Sequence, residues 1–184
     1  MQAIEFDLPT ERRAKIEALN VANYIIDNWS DKFEITNLKL NKLVYYSQVE
    51  SLRKCKRPLF DDKVEAWQYG PVEPAVYRAF SSNGRSRIRK STGLAILDET
   101  SKKLVDSVMD RLGMLSACDL VTLSHKPDGA WAKVYSPDRD NPITPETILA
   151  SNDGLDSNDV VTIDQAVQST IAAMPNALRL LENS

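Results

Sequence analysis

The feature that most limits how this chain can fold is a helical segment, Thr36 to about Arg53, with apolar residues on two faces. Leu40, Leu43 and Val44 align with Ser47 at three- and four-residue steps, while Leu38, Tyr45, Val49 and Leu52 fall on another side. A surface helix keeps one apolar stripe, so a helix apolar on two sides is packed from both. The expectation is a central helix with other elements wrapped around it. Thr36 is suited to cap its first turn, and Pro58 stops it.

The flanking sequence supplies elements to do the wrapping. Ile16, Leu19, Ala22, Ile26 and Trp29 recur at helical steps, which predicts an amphipathic helix from about Glu11 to Asn28 with Thr10 as its cap. Lys63 to Tyr69 alternates like a strand, Gly70-Pro71 reads as a turn, and a short helix opens at Val72-Glu73-Pro74 and runs to Phe80. Residues 85–97 fit a small hairpin or an exposed flap. Leu104, Val105, Val108 and Leu112 mark a helix from Asp98 that ends at Gly113. Ser116 and Asp119 form a capping box for a helix to about Ser124, and Asp128-Gly129 breaks the chain before Trp131. Residues 136–142 read as a turn-rich connection. Thr144-Pro145-Glu146 starts a further helix, residues 151–159 read as polar and exposed, and a capping box at Thr162 and Gln165 precedes a last amphipathic helix kinked at Pro175.

The sum is a mainly α fold, about seven helices with one or two short strands. With 184 residues, 42% hydrophobic and 27% charged, the chain suits one compact domain over 11–184 behind an N-terminal arm, 1–10. The two cysteines, Cys55 and Cys118, match no metal or redox spacing and point to a reducing compartment. No apolar run suggests a signal segment or a membrane span, so the expected location is the cytoplasm and no membrane partner is expected.

Chemistry is sparse. One histidine and two distant cysteines argue against zinc, and Asp61, Asp62 and Glu65 read as a solvated turn rather than a cation site. The six glycines lie singly and build no phosphate loop. No cofactor is expected. Catalysis would have to use His125, with Ser124 or Asp128 beside it, but neighbours in sequence seldom face each other; a histidine fixing a helix end is the simpler reading. That leaves a hydrolase or nuclease as one alternative.

Charge is more informative. The net charge of −3 disfavours a surface that grips nucleic acid throughout. Two basic clusters nevertheless occur, Arg53-Lys54 with Lys56-Arg57, and Arg85, Arg87, Arg89 and Lys90. Between Asp138 and Asp164 stand seven acids and one basic residue, Arg139. On a strand, Arg85, Arg87 and Arg89 would project to one side and meet an acidic protein surface or phosphates. A regulator that binds nucleic acid through these clusters is a second alternative.

Four blocks, taken together, carry a family resemblance. They are Ala22-Asn23-Tyr24-Ile25-Ile26; Ile35-Thr36-Asn37-Leu38-Lys39-Leu40-Asn41-Lys42-Leu43-Val44-Tyr45-Tyr46-Ser47-Gln48; Pro58-Leu59-Phe60-Asp61-Asp62; and Glu65-Ala66-Trp67-Gln68-Tyr69-Gly70-Pro71-Val72-Glu73-Pro74-Ala75-Val76-Tyr77. In order and spacing they are similar to the SocA-like antitoxins that carry the Panacea domain, also found on phage-associated proteins. Leu123-Ser124-His125 with Trp131 resembles a later segment of that family, with Ser124 in place of threonine and Gly129-Ala130 in place of a proline. The resemblance spans about residues 20–135. It implies an α-rich fold with a small β element, and an antitoxin that neutralises a protein toxin encoded beside it by direct contact. No helix-turn-helix precedes the matching part, so autoregulation through DNA is not expected of this chain.

Leu40, Leu43, Val44 and Tyr46 are expected in the core. For Trp67, Tyr69, Pro71 and Tyr77, two readings stay open: a stiff aromatic ledge packing the core and supporting a neighbouring loop, or an anchor for the toxin. The same division holds for His125 and Trp131. With Arg85, Arg87, Arg89 and Lys90, these residues form the candidate partner-binding set.

Overall fold

The computed structural model describes residues 16–154. The N-terminal arm, the cap expected at Thr10, the start of the first helix at Glu11 and the last helix over 162–181 lie outside the described residues.

Helix α1 spans Ala18–Trp29, and helix α2 spans Asn37–Cys55. A hairpin of β1 (Val64–Trp67) and β2 (Gly70–Val72) leads to α3 (Pro74–Phe80) and one turn of 3-10 helix, Ser81–Asn83. After an irregular segment come α4 (Glu99–Leu112), α5 (Ala117–Ser124), α6 (Ala130–Val134), β3 (Asn141–Ile143) and α7 (Pro145–Leu149). The architecture is mainly α with a small antiparallel sheet in the order β2-β1-β3.

The central helix is α2, as its two apolar faces require. Every residue from Lys39 to Leu52 is buried, and α1, α3, α4, α5, α7 and β2 all pack on it. Leu40, Leu43, Val44 and Tyr46 are in the core. Most polar side chains of α2 are buried, and several of them tie down a segment that crosses the helix. Lys39 Nζ donates to Gly113 O at 2.8 Å, and Lys42 Nζ to Pro71 O at 2.9 Å. Asn41 Oδ1 accepts from the Glu73 N–H at 3.1 Å. Gln48 takes the Leu59 N–H on Oε1 at 2.7 Å and donates from Nε2 to Phe60 O at 2.9 Å. Backbone groups buried in non-repetitive segments must find partners. Here α2 supplies them.

Several local expectations hold. Thr36 caps α2, Ser116 with Asp119 forms a reciprocal box at α5, and Thr144 caps α7. Four differ. Ile16 and Glu17 are not helical, and α1 begins at Ala18, where Asp62 Oδ2 accepts the Ala18 N–H at 2.9 Å from a distant loop. Gly70 and Pro71 are in β2, and the two-residue turn is Gln68-Tyr69. Part of the supposed connection over 136–142 pairs with β1, as Asn141, Pro142 and Ile143 face Ala66, Glu65 and Val64. Proline is tolerated there because β3 is an edge strand. Of the two readings of residues 85–97 the hairpin fails, since no strand forms there.

Helix α6 was not expected at all. Its cap comes from far away: Asp153 Oδ2 accepts the Ala130 N–H at 2.8 Å. The same oxygen accepts the Tyr45 hydroxyl. Asp153 and Ser151, read from sequence as exposed, are therefore buried.

Candidate functional site

The structure divides the candidate residues into two groups. Trp67, Pro71, Tyr77, His125 and Trp131 come together where the hairpin meets α5 and α6. Arg85, Arg87, Arg89 and Lys90 lie elsewhere, on the irregular segment between α3 and α4.

In the first group, β1 and β2 are held against α2 and α5 by close contact. Gly70 has φ of +99°, and a Cβ there would lie 2.5 Å from Ser124 Oγ and 2.7 Å from Lys42 Cε. Only glycine suits this backbone conformation and this space. Trp131 Nε1 donates to Trp67 O at 2.8 Å. The Trp131 ring meets His125 edge-on at 3.7 Å between centroids and stacks on Tyr135 at 4.4 Å. Trp67 meets Tyr77 edge-on at 4.9 Å, and its indole N–H reaches Glu65 Oε2 at 2.9 Å. Tyr69, half-buried, sits in the hairpin turn. The result is a joint, closed by aromatic rings and pinned by one lysine, with Tyr77 left 41% exposed at its edge.

That lysine is the most unusual group in the chain. Lys42 is fully buried, and burial lowers its pKa to about 7. His125 is lowered to about 4, chiefly by burial and in lesser part by the charge of Lys42, while hydrogen bonds to the Val121 and Gln68 backbone act the other way. It is therefore neutral near pH 7. Its Nδ1 lies 2.7 Å from Val121 O, which makes Nδ1 the protonated nitrogen.

Ser124 Oγ donates to the same carbonyl at 2.8 Å. Ser124 and His125 thus both turn back onto α5 rather than toward each other, and Ser124 is buried. A nucleophile and its base would need a mutual hydrogen bond. Asp62 is occupied in capping α1 and Glu65 in holding Trp67. Among the described residues no group of three acids, histidines or cysteines is placed to hold a metal ion, and no helix is long and apolar enough to cross a membrane.

The two basic clusters also part company. In the first, Arg53 is structural: its guanidinium donates to Ile148 O at 2.9 Å, Leu149 O at 3.2 Å and Asp153 O at 3.3 Å, and to Ser151 O as well. It closes the C-terminal end of α7, which favours a cation. Lys54 pairs with the buried Glu50, which also holds Arg111 at 2.7 Å. In the second cluster, Arg87 donates to Ser30 O, whereas Arg85, Arg89 and Lys90 are exposed.

Sequence reasoning missed Lys42, Tyr45, Asn23 and Asp153. A usable signal existed for Lys42. A helix apolar on two faces leaves its remaining face little chance of reaching water, so its lysines were candidates for buried tethers.

The chain is thus a helical domain wrapped on one central helix, with most of its motif residues gathered in one joint. The family described as "Antitoxin SocA-like, Panacea domain" matches residues 40–132, the part that runs from α2 through the joint to Trp131. Antitoxin SocA of Caulobacter vibrioides is 35% identical over 135 residues, covering 66% of this chain and 72% of that protein. The chain belongs to the SocA-like, Panacea-domain family of antitoxins. No solved structure matches it.

Proposed function

We propose that the chain acts as an antitoxin by binding its cognate toxin, a protein encoded by an adjacent gene, directly. Membership of the family carries this reading. The distribution of side chains supports it: Ser124 and His125 are turned inward, while the exposed basic residues stand apart on one segment. An antitoxin that works by contact needs no catalytic residue of its own, and we read the chain as a non-enzyme. We place the complex in the cytoplasm, where Cys55 and Cys118 stay reduced.

Within the candidate set we assign two roles. Trp67, Tyr69, Pro71, Tyr77, His125 and Trp131 hold the scaffold, and Arg85, Arg89 and Lys90 meet the toxin. Arg87 works between them by holding the basic segment on α1. The test is co-expression with the neighbouring gene. Expression of that gene alone is expected to stop growth, and the chain supplied in trans to restore it. A neighbour harmless on its own would count against the proposal.

A further inference from the structure

The segment 85–97 is neither helix nor strand, yet it is tied to the scaffold along its length. Arg87 donates to Ser30 O, and the Ile88 N–H to Ile35 O at 2.8 Å, with the Ile88 side chain fully buried. Farther along, Thr92 donates from both N and Oγ1 to Asn23 Oδ1, at 3.0 and 3.2 Å. Asn23 is itself buried. Asn20 Nδ2 then reaches Ile96 O at 3.4 Å. The partners on α1 and just beyond it run backward, from Ser30 through Asn23 to Asn20, so the segment lies as a strap antiparallel to α1.

The strap shows two aliphatic side chains to water, Leu94 at 78% exposure and Ile96 at 58%. Exposed aliphatics two residues apart, on a segment whose neighbours are tethered, gain nothing for the fold. On the N-terminal side of this pair the charge has one sign, whereas Asp98 and Glu99 follow it. Residues 74–97 hold five basic side chains, Arg78, Arg85, Arg87, Arg89 and Lys90, and no acid. Phosphate contact has no use for the aliphatic pair, and one of the five, Arg87, is turned to the scaffold. An acidic protein surface with an apolar recess uses both features. Apolar anchors give affinity at the centre of an interface, and charges at its rim give orientation and rate. A strap already held in place loses little freedom on binding.

We propose that Leu94 and Ile96 are the apolar anchors of the toxin-docking surface, and that Arg85, Arg89 and Lys90, earlier on the same strap, select an acidic face on the toxin. This rests on the reading of direct toxin binding given above.

The experiment is calorimetric titration of the full chain with the purified product of the neighbouring gene. Leu94→Asp with Ile96→Asp is expected to weaken binding at least about a hundredfold, because truncating two anchors alone is worth roughly tenfold each. Reversal of Arg85, Arg89 and Lys90 to glutamate is expected to weaken it too, and to reduce its dependence on salt. Met114→Asp, at an 84% exposed methionine beyond the opposite end of α4, is the control and is expected to leave affinity unchanged. All variants should melt with the wild type, since the altered side chains are exposed. Wild-type affinity in the Leu94/Ile96 double variant would overturn the docking surface and leave direct binding standing. No binding by the wild type would overturn both. A labelled DNA or RNA duplex that binds the wild type, and is lost on charge reversal but not in the double variant, would assign the strap to nucleic acid instead.

Discussion

Replacing Lys42 with methionine separates the energetic cost of its buried amine from the hydrogen bond that the amine makes. The amine ionises at about 7 in the folded chain, against 10.5 for a lysine in water. Between those values the unfolded chain binds more protons than the folded one, so stability rises with pH through this window. With these two values, the lysine's share of that rise is about 3 kcal/mol from pH 6.5 to pH 9.5. Above that range the tyrosines intervene with the opposite sign, since Tyr24 is raised to about 12 and Tyr45 well above its usual value. At pH 7 the suppressed ionisation costs about 4 kcal/mol. Lys42→Met removes that cost but leaves Pro71 O without its donor, a loss of about 1–3 kcal/mol. The variant is therefore expected to be more stable than the wild type at pH 7, by about 1–3 kcal/mol, and to lose the lysine's share of the pH dependence. Urea denaturation at steps from pH 6.5 to 9.5 measures both. A flat profile in the wild type, or the same rise in the methionine variant, would refute the assignment of the rise to Lys42.

Other expectations follow from the joint and its neighbours. His125, held near 4, is protonated at higher pH in the unfolded chain than in the folded one. Its stabilising contribution is complete above pH 6.5 and is lost as pH falls through 4, about 3 kcal/mol in all, and His125→Gln should remove this acid limb in a melting series. The same variant should lower thermal stability, while growth rescue falls only in proportion to folded protein. Gly70→Ala drives a methyl group onto Ser124 and Lys42 at a left-handed backbone position, and should cost about 3 kcal/mol or more in denaturant unfolding. Arg53→Ala opens the end of α7 and should cost about 2 kcal/mol, whereas Arg57→Ala, at an exposed side chain, should fall within about 0.5 kcal/mol of the wild type.

What the sequence disclosed was governed by whether the determining partner lay nearby. The two apolar faces of α2 located the centre of the fold, and the caps at Thr36, Ser116 and Thr144 were legible because each cap and its N–H are three residues apart. Helix α6 has five residues, too few for a periodic stripe, and its cap is Asp153, 23 positions away. Strand β3 is three residues with a proline at its middle, and only its pairing with β1 reveals it. The site was legible in part. Trp67, Gly70, His125 and Trp131 stood out as aromatic or punctuating residues, but their mutual packing depends on the hairpin folding over α2. The basic hexapeptide was visible, whereas the diversion of Arg87 to Ser30 O needs α1 beside it. Leu94 and Ile96 were legible as part of a hairpin or an exposed flap, but not as exposed side chains on a tethered strap, because that placement is a property of the fold.

The central claim is that neutralisation is a direct contact between this chain and its toxin. Purified toxin, the product of the neighbouring gene, mixed with the purified chain and resolved by size-exclusion chromatography with light scattering, tests it without any other cellular component. The account predicts a stable complex whose mass is the sum of both proteins in a fixed ratio. Separate elution of the two at micromolar concentration, alongside intact growth rescue in cells, would contradict it and place neutralisation in a step that does not pass through binding by this chain.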